Sequence, residues 1–118
     1  MHHGVMTCRE DDSIRHVAGI MTNYRVHAVL VTTGNGTRPV GIVSDLDVAT
    51  AAATGAECTA IEAAATEPLT VSSDAALDRA AQLMSEHGVS HLVVLDGAGG
   101  YPLGILSTLD IAAVYADS

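Results

Sequence analysis

The sequence predicts an α/β fold built from two β-α-β-β-α repeats that form one compact module. The first observation behind this prediction is that the chain repeats itself at an offset of 63 residues, with no gap. The second is that each copy carries an amphipathic helical pattern, followed by two apolar runs of strand length and another helical pattern. The third is size: 118 residues, of which 48% are hydrophobic, suffice for one buried core.

The duplication is visible along the whole chain and includes turn residues as well as apolar ones. Because a chance match would not keep glycine, proline and carboxylate positions in one register, we interpret it as a duplicated unit. Residues 1–55 are expected to form the first repeat and residues 56–118 the second. The matched pairs include Thr7/Thr70, Asp11/Asp74, Met21/Met84, Val26/Val89, Gly34/Gly97, Pro39/Pro102, Gly41/Gly104, Ile42/Ile105, Ser44/Ser107 and Asp47/Asp110.

An amphipathic helix is predicted near the start of each repeat, because apolar residues recur at i, i+3, i+4 and i+7. In the first repeat Asp11 or Asp12 is expected to cap this helix. In the second repeat Ser73 or Asp74 takes the capping position, and His87-Gly88 ends the helix. The apolar positions are Ile14, Val17, Ala18 and Met21 in the first repeat and Leu77, Ala80, Ala81 and Met84 in the second.

Two strands and a second helix complete each repeat. Gly34-Asn35-Gly36 and Asp96-Gly97 mark the two hairpin turns. Between the copies, Thr59–Thr66 is predicted to be one more short helix, leading into a strand at Leu69–Val71. The remaining expected strands are Met6–Cys8, Ala28–Val31, Pro39–Val43, Leu92–Leu95 and Leu103–Leu106, and the closing helices are Leu46–Ala53 and Leu109–Ala116.

Composition argues against several functional classes. The net charge is −9, with no Lys and five Arg, which disfavours nucleic acid as a partner because phosphate backbones require a basic surface. No apolar run reaches the roughly 20 residues of a membrane span, and no signal peptide is apparent, so we expect a cytoplasmic protein without a membrane partner. Cys8 and Cys58 have no metal-type spacing and are interpreted as small hydrophobic residues. With no legible nucleophile–base pair or metal cluster, we expect no enzyme, no metal and no required cofactor.

The closing segment of each repeat carries the most chemical information. Gly41-Ile-Val-Ser44-Asp-Leu-Asp47 and Gly104-Ile-Leu-Ser107-Thr-Leu-Asp110 each end a strand with a hydroxyl and place a carboxylate three residues later. Such a carboxylate can accept hydrogen bonds from both hydroxyls of a ribose. The same spacing also fits a capping box, with Ser as N-cap and Asp bonded back to its N–H. The two roles are compatible, and the residues alone leave both open.

With these segments, the chain resembles a tandem pair of CBS domains, the cystathionine-β-synthase-type regulatory domain. The resemblance rests on the closing motif in both repeats and on Gly88-Val-Ser-His-Leu-Val-Val-Leu-Asp96, and it extends over residues 5–116. It implies a pseudo-twofold pair with two clefts between the repeats, each a candidate site for an adenosyl compound. The implied function is a regulatory module that binds AMP, ADP, ATP or S-adenosylmethionine and signals to an unidentified protein. The net acidity favours AMP or S-adenosylmethionine over ATP.

Homodimerisation through the helices is a further implication of the resemblance. The Ala-rich faces of Leu46–Ala53 and Leu109–Ala116 suit such contacts. This gives the alternative function, a dimerisation module whose clefts are degenerate and free of ligand.

The resemblance assigns a ribose-binding pair, a strand and a histidine to each cleft. Ser90 belongs with the first cleft and Ala28 with the second, while the isoleucines lie against the sugar or base. The expected ligand-binding residues are Ser44, Asp47, Ile42, Thr70 and His91 for the first cleft and Ser107, Asp110, Ile105, Thr7 and His27 for the second.

Some residues depart from the usual family pattern. Leu30 and Val93 stand where the family usually has Pro, and each repeat keeps one His where two basic residues are common. The helix that normally precedes the first strand is missing from the first copy. These departures favour ribose binding over phosphate binding.

The two expected clefts also differ in charge. Residues 1–55 hold four Arg and five acidic residues, a net charge of −1, whereas residues 56–118 have a net charge of −8. Asp45 follows Ser44, but Thr108 follows Ser107, and a second carboxylate close to a phosphate costs about 1 kcal/mol. Because Arg25 and His27 lie in the less acidic half, we expect the Ser107/Asp110 cleft to be the better nucleotide site.

Overall fold

The computed structural model describes residues 6–33, 38–55, 57–98 and 100–117. Two β-α-β-β-α repeats follow each other, which confirms the predicted fold class. The chain forms two compact units, one of residues 6–68 and one of residues 69–117. The expected Gly34-Asn35-Gly36 turn lies outside the described residues. The first unit contains β1 (Thr7–Arg9), α1 (Ile14–Tyr24), β2 (Ala28–Thr33), β3 (Arg38–Ser44), α2 (Asp45–Thr54), α3 (Ala60–Ala63) and β4 (Ala65–Thr66); the second contains β5 (Thr70–Ser72), α4 (Leu77–His87), β6 (His91–Leu95), β7 (Pro102–Ser107) and α5 (Thr108–Ala116).

The first unit is built on a four-stranded sheet in the order β1-β2-β3-β4. β1 runs parallel to β2, whereas β3 runs antiparallel to both β2 and β4. Alternate residues of β2 and β3 pack on the apolar stripe of α1, as the i, i+3, i+7 spacing predicts. The buried cluster comprises Cys8, Ile14, Val17, Met21, Val26, Val29, Val31, Val43, Ala51 and Ala60.

The second unit repeats this arrangement with a three-stranded sheet in the order β5-β6-β7. β5 is parallel to β6, and β6 is antiparallel to β7. Its core is smaller and is formed where α4 packs on the sheet. The buried residues of this core are Ala80, Met84, Leu92, Val94 and Leu106.

The helix starts differ from the sequence prediction. Ser13, not Asp11 or Asp12, caps α1 by accepting the His16 N–H at 3.1 Å. Asp12 is unavailable because its carboxylate accepts the Arg9 N–H at 2.8 Å, which closes the turn after β1. The prediction of an aspartate cap was therefore wrong by one or two residues.

The cap predicted for α4 is also wrong. Its N-cap is Ala76, which has no capping side chain. Ser73 instead accepts the Gly97 N–H at 3.1 Å, and the Asp74 N–H donates to the Ser72 hydroxyl in a tight turn. These polar side chains hold the loops of the unit and not the helix start. The predicted end of α4 is confirmed, because Gly88 takes the left-handed conformation at φ 63°.

The segment predicted as a helix over Thr59–Thr66 is helical only as far as Ala63. Thr59 caps α3, and the chain then extends as β4 along the edge of β3. The helix is fixed at its start by Ala60 N–H donating to the Asp12 carbonyl at 2.7 Å and Ile61 N–H to the Glu10 carbonyl at 3.2 Å. Ala65 and Thr66 pair with the open edge of β3 and form a strand. The predicted helix was therefore wrong beyond Ala63.

Within the described residues, no helix is long and apolar enough to cross a membrane. In the same part of the chain, no group of three or more His, Cys, Asp or Glu side chains could hold a metal ion. Cys8 lies in the core of the first unit, where burial, and secondarily the Asp12 charge, raise the pKa of its thiol to about 11. Cys58 is partly buried against the same core, so both cysteines serve as small hydrophobic residues.

Candidate ligand-binding site

The end of β3 and the start of α2 form the first Ser–Asp pair. The Ser44 N–H donates to Asp47 Oδ2 at 2.8 Å, and the Ser44 hydroxyl donates to the same oxygen at 3.0 Å. In return, the Asp47 N–H donates to Ser44 Oγ at 3.3 Å. This is a complete capping box. Asp47 Oδ1 accepts no hydrogen bond from any residue that the structure describes, so this oxygen can accept a hydroxyl from outside the protein.

The end of β7 and the start of α5 form the same box in the second unit. The Ser107 N–H and hydroxyl donate to Asp110 Oδ2 at 2.8 and 3.0 Å, and the Asp110 N–H donates back at 3.2 Å. Partial burial opposes ionisation of Asp110, but hydrogen bonds, including those from Ser107, keep the pKa of its carboxyl below the ordinary value. The carboxylate is therefore charged at neutral pH, as ribose binding would require.

The strand register brings further predicted residues into one row in each repeat. Thr7 pairs with Leu30 on β2, and Leu30 pairs with Ile42 on β3. Since residues paired across strands point to the same face, Thr7 and Ile42 flank Leu30 on the face opposite the helix-packed core. Thr7 is exposed, and Ile42 is buried.

In the second unit the equivalent row consists of Thr70, Val93 and Ile105. Thr70 is exposed and Ile105 is half-buried. Each repeat therefore has a row of three side chains, one with a hydroxyl and two that are apolar. The middle residue of the row is Leu30 or Val93, where the family usually has Pro.

The beginning of the second strand meets the Ser–Asp box of the same repeat. In the first unit, the Asp45 N–H donates to the His27 carbonyl at 3.0 Å. In the second unit, Thr108 N–H donates to the Ser90 carbonyl at the same distance. His91 lies opposite Ser107 in the sheet, and its Nδ1 is 3.1 Å from Ser90 Oγ. Each unit thus places its predicted histidine beside its own Ser–Asp box.

One contact was not foreseen from the sequence. His27 Nδ1 lies 3.0 Å from Asp45 Oδ2, and both side chains are mainly exposed. The sequence argument placed Asp45 and His27 in different clefts, whereas the fold brings them together. His27 directly precedes β2 and Asp45 directly follows β3, so only the pairing of these two strands could have revealed the contact.

The chain matches known proteins over nearly its full length. The family model for the CBS domain matches residues 1–54 and again residues 60–117. A CBS domain protein from Pyrobaculum aerophilum, solved in complex with AMP, is 28% identical with a TM-score of 0.85, covering 100% of this chain and 95% of that one. A CBS domain pair solved with 5′-methylthioadenosine and S-adenosyl-L-methionine shares the fold, with 24% identity and a TM-score of 0.87. The match covers 99% of this chain and 92% of that one.

A curated relative is the homoserine O-acetyltransferase of Methanocorpusculum labreanum, which is 33% identical over 108 residues. The match covers 90% of this chain but only 22% of that enzyme. Two family matches, each spanning one complete β-α-β-β-α repeat, account for most of the sequence. The chain therefore belongs to the CBS domain family, as a tandem pair of CBS domains.

Proposed function

We propose that this CBS pair is a regulatory module that binds an adenosyl compound and transmits its presence to a partner protein. The observation that carries the proposal is the Ser–Asp box, which recurs in both repeats with donor–acceptor distances that differ by no more than 0.1 Å. The related structure with AMP supports the class of ligand. The module needs no cofactor and performs no catalysis, and we place it in the cytoplasm.

The proposed contacts follow from the chemistry of each residue. Asp47 and Asp110 accept ribose hydroxyls, and Ser44 and Ser107 hold the carboxylates in place. Thr7 and Thr70 offer exposed hydroxyls, Ile42 and Ile105 offer apolar surface for the sugar or base, and His27 and His91 face the remainder of the ligand. Of the two boxes, we propose that Ser107–Asp110 binds the nucleotide more tightly, because Thr108 replaces the negative charge of Asp45.

A thermal-shift panel tests the proposal. AMP, ADP, ATP, NAD, S-adenosylmethionine and buffer are compared at increasing concentrations. A ligand present at a hundredfold excess over its Kd stabilises the folded state by about 2.7 kcal/mol, which gives a concentration-dependent rise in Tm. Guanosine compounds at equal concentration provide the control for charge and stacking. If no adenosyl compound raises Tm, the proposal is wrong.

The helices that follow the Ser–Asp boxes favour a second candidate function, homodimerisation. α5 is mostly apolar but has no buried residue. Leu46 and Leu109 occupy equivalent positions on α2 and α5, and each is 71% exposed. Side chains of this kind are commonly covered by a partner. Sedimentation equilibrium should show a dimer that Leu109→Glu converts to monomers; a monomeric wild-type chain would remove this candidate.

A further inference from the structure

The closing helices of the two repeats, α2 and α5, carry side chains of different size at equivalent positions. At the 63-residue offset, Ala51 and Ala52 of α2 correspond to Val114 and Tyr115 of α5. Val114 is 51% exposed and Tyr115 is 81% exposed. The second repeat therefore exposes two large side chains where the first repeat has only methyl groups.

The small side chains of the first repeat line a groove between α1 and α2. The volume of this α1–α2 groove is about 290 Å³, and its wall includes Ala18, Ala51 and Ala52. Arg15 of α1 lines the same groove, so one cation lies beside the apolar surface. A tyrosine suits such a place, because its ring is apolar and its hydroxyl can remain near polar groups.

The charge is also reversed between the repeats at one helix position. Arg15 of α1 corresponds to Asp78 of α4 at the same offset, and both residues are exposed. The Arg15 guanidinium lies 3.3 Å from Glu57 Oε1. Because a guanidinium has five N–H donors, it can bind a second carboxylate as well. The first repeat thus offers a cation beside its groove, and the second repeat offers a carboxylate on the same helix face as its counterpart.

Two copies of the chain that pack through these helices can align them in two ways. If α1 and α2 face the same two helices of the other copy, Arg15 lies near a second Arg15 and two grooves face each other. If they face α4 and α5 of the other copy, Arg15 lies near Asp78 and Tyr115 can enter the groove. Like charges across an interface are unfavourable, and an unfilled groove loses packing contacts. Size and charge therefore both favour the second alignment.

We propose that the chain forms a homodimer in which α1 and α2 of each copy pack against α4 and α5 of the other. Tyr115 of one copy occupies the α1–α2 groove of the other, and Asp78 lies beside Arg15. The same contact forms twice, so the assembly closes at two copies. This inference rests on the second candidate function, homodimerisation, and adds the alignment of the helices and the residues that determine it.

Charge reversal tests the alignment. Dimer dissociation constants are measured by sedimentation equilibrium for the wild-type chain, Arg15→Asp, Asp78→Arg and the double variant. Each single variant brings like charges together at both contacts and should weaken the dimer tenfold or more, whereas the double variant should return to within about threefold of the wild type. Arg38→Asp, at the start of β3 and outside the helices, is the control for net charge and should change the dissociation constant less than twofold.

Removal of the tyrosine tests the fit to the groove. Tyr115→Ala should weaken the dimer tenfold or more, because the groove of the other copy loses its occupant. Tyr101→Ala is the matched control, since Tyr101 is 51% exposed but lies outside the helices. It should change the dissociation constant less than twofold.

Cross-linking gives a second readout of the same alignment. An equimolar mixture of Arg15→Cys and Asp78→Cys chains should form an intermolecular disulfide on mild oxidation, and neither variant alone should do so. The wild-type chain reports any background from Cys8 and Cys58.

The outcomes separate this inference from the functions on which it builds. If the single reversals leave the dimer intact, if the double variant is not restored, or if Arg15→Cys cross-links to itself, the proposed alignment is wrong and homodimerisation still stands. A monomeric wild-type chain would overturn both the alignment and homodimerisation. Neither result bears on the binding of an adenosyl compound, which the thermal-shift panel tests by itself.

Discussion

Replacing Asp110 separates its structural role from its proposed ligand-binding role. Asp110→Ala removes the acceptor of two Ser107 hydrogen bonds, at 2.8 and 3.0 Å, and leaves a half-buried N–H without its partner. Loss of a helix cap of this kind costs about 1–2 kcal/mol. For a chain of this size the expected fall in Tm is roughly 4–10 °C. Asp110→Asn keeps an acceptor oxygen at the cap, so its Tm should fall by less than half as much as that of Asp110→Ala.

The effect on affinity should be larger. A hydrogen bond to a charged carboxylate contributes about 1.5–3 kcal/mol. The loss of one such bond to ribose lowers affinity roughly tenfold to hundredfold, since 1.4 kcal/mol is a factor of ten. Asp110→Asn therefore combines a nearly intact fold with a large loss of adenosyl affinity, whereas Asp110→Ala combines losses in both.

Circular dichroism melting and isothermal titration measure the two effects on the same samples. Asp78→Ala is the matched control, because Asp78 also lies in the first turn of a helix of the second unit but forms no capping box. Equal destabilisation by Asp110→Asn and Asp110→Ala would refute the capping argument. Full adenosyl affinity in Asp110→Ala would refute the ribose-binding role.

The pH dependence has a defined sign. The pKa of Asp110 is lower in the folded protein, so its stabilising contribution is present above the ordinary carboxyl pKa. It is lost as the pH falls through the folded-state value. The stability difference between wild type and Asp110→Ala should thus be largest near pH 7 and should shrink steadily below about pH 4. A difference that grows in acid would contradict the direction of the shift.

Three further predictions concern the fold. Gly41→Ala places a Cβ 3.0 Å from Ala64 Cβ and 3.1 Å from a main-chain carbonyl oxygen, so it should lower the free energy of unfolding in urea by about 1–3 kcal/mol. The matched substitution Gly19→Ala, whose Cβ would have no atom within 4 Å, should raise the free energy of unfolding by about 0.5–1 kcal/mol. Cys8 is buried and its pKa is near 11, so it should react with a thiol reagent at pH 8 only after the chain unfolds. If the native chain shows two fast-reacting thiols, Cys8 is not buried. Glu67→Gly should raise Tm slightly, since Glu67 has a φ of 53° before a proline, and a fall in Tm would disprove the strain.

The periodic features of the sequence predicted the fold well. The apolar stripe of Ile14, Val17 and Met21 required a helix, and the β-branched runs around Val29 and Val43 required strands packed against it. The 63-residue offset then fixed the second repeat from the first. The Ser–Asp spacing fitted both a capping box and a ribose-binding pair, and both repeats contain the capping box.

The errors arose where several polar residues competed for one position. Asp11, Asp12 and Ser13 can all cap a helix, and the turn after β1 decided which of them does so. The extension of β4 depends on the open edge of β3, which lies more than 20 residues earlier in the chain. The contact between His27 and Asp45 depends in the same way on strand pairing. Such outcomes are set by tertiary contacts that no local pattern encodes.

Nuclear magnetic resonance titration of the ¹⁵N-labelled chain with AMP and S-adenosylmethionine tests the central claim most directly, because it locates the ligand on the protein. Binding at a Ser–Asp box should move the amide resonances of Ser107 and Asp110, or of Ser44 and Asp47, since these four N–H groups form the two boxes. The shifts should saturate with ligand concentration and should be absent with the Asp47→Ala/Asp110→Ala double variant. Unchanged spectra with every adenosyl compound, or shifts confined to the exposed faces of α2 and α5, would contradict the account.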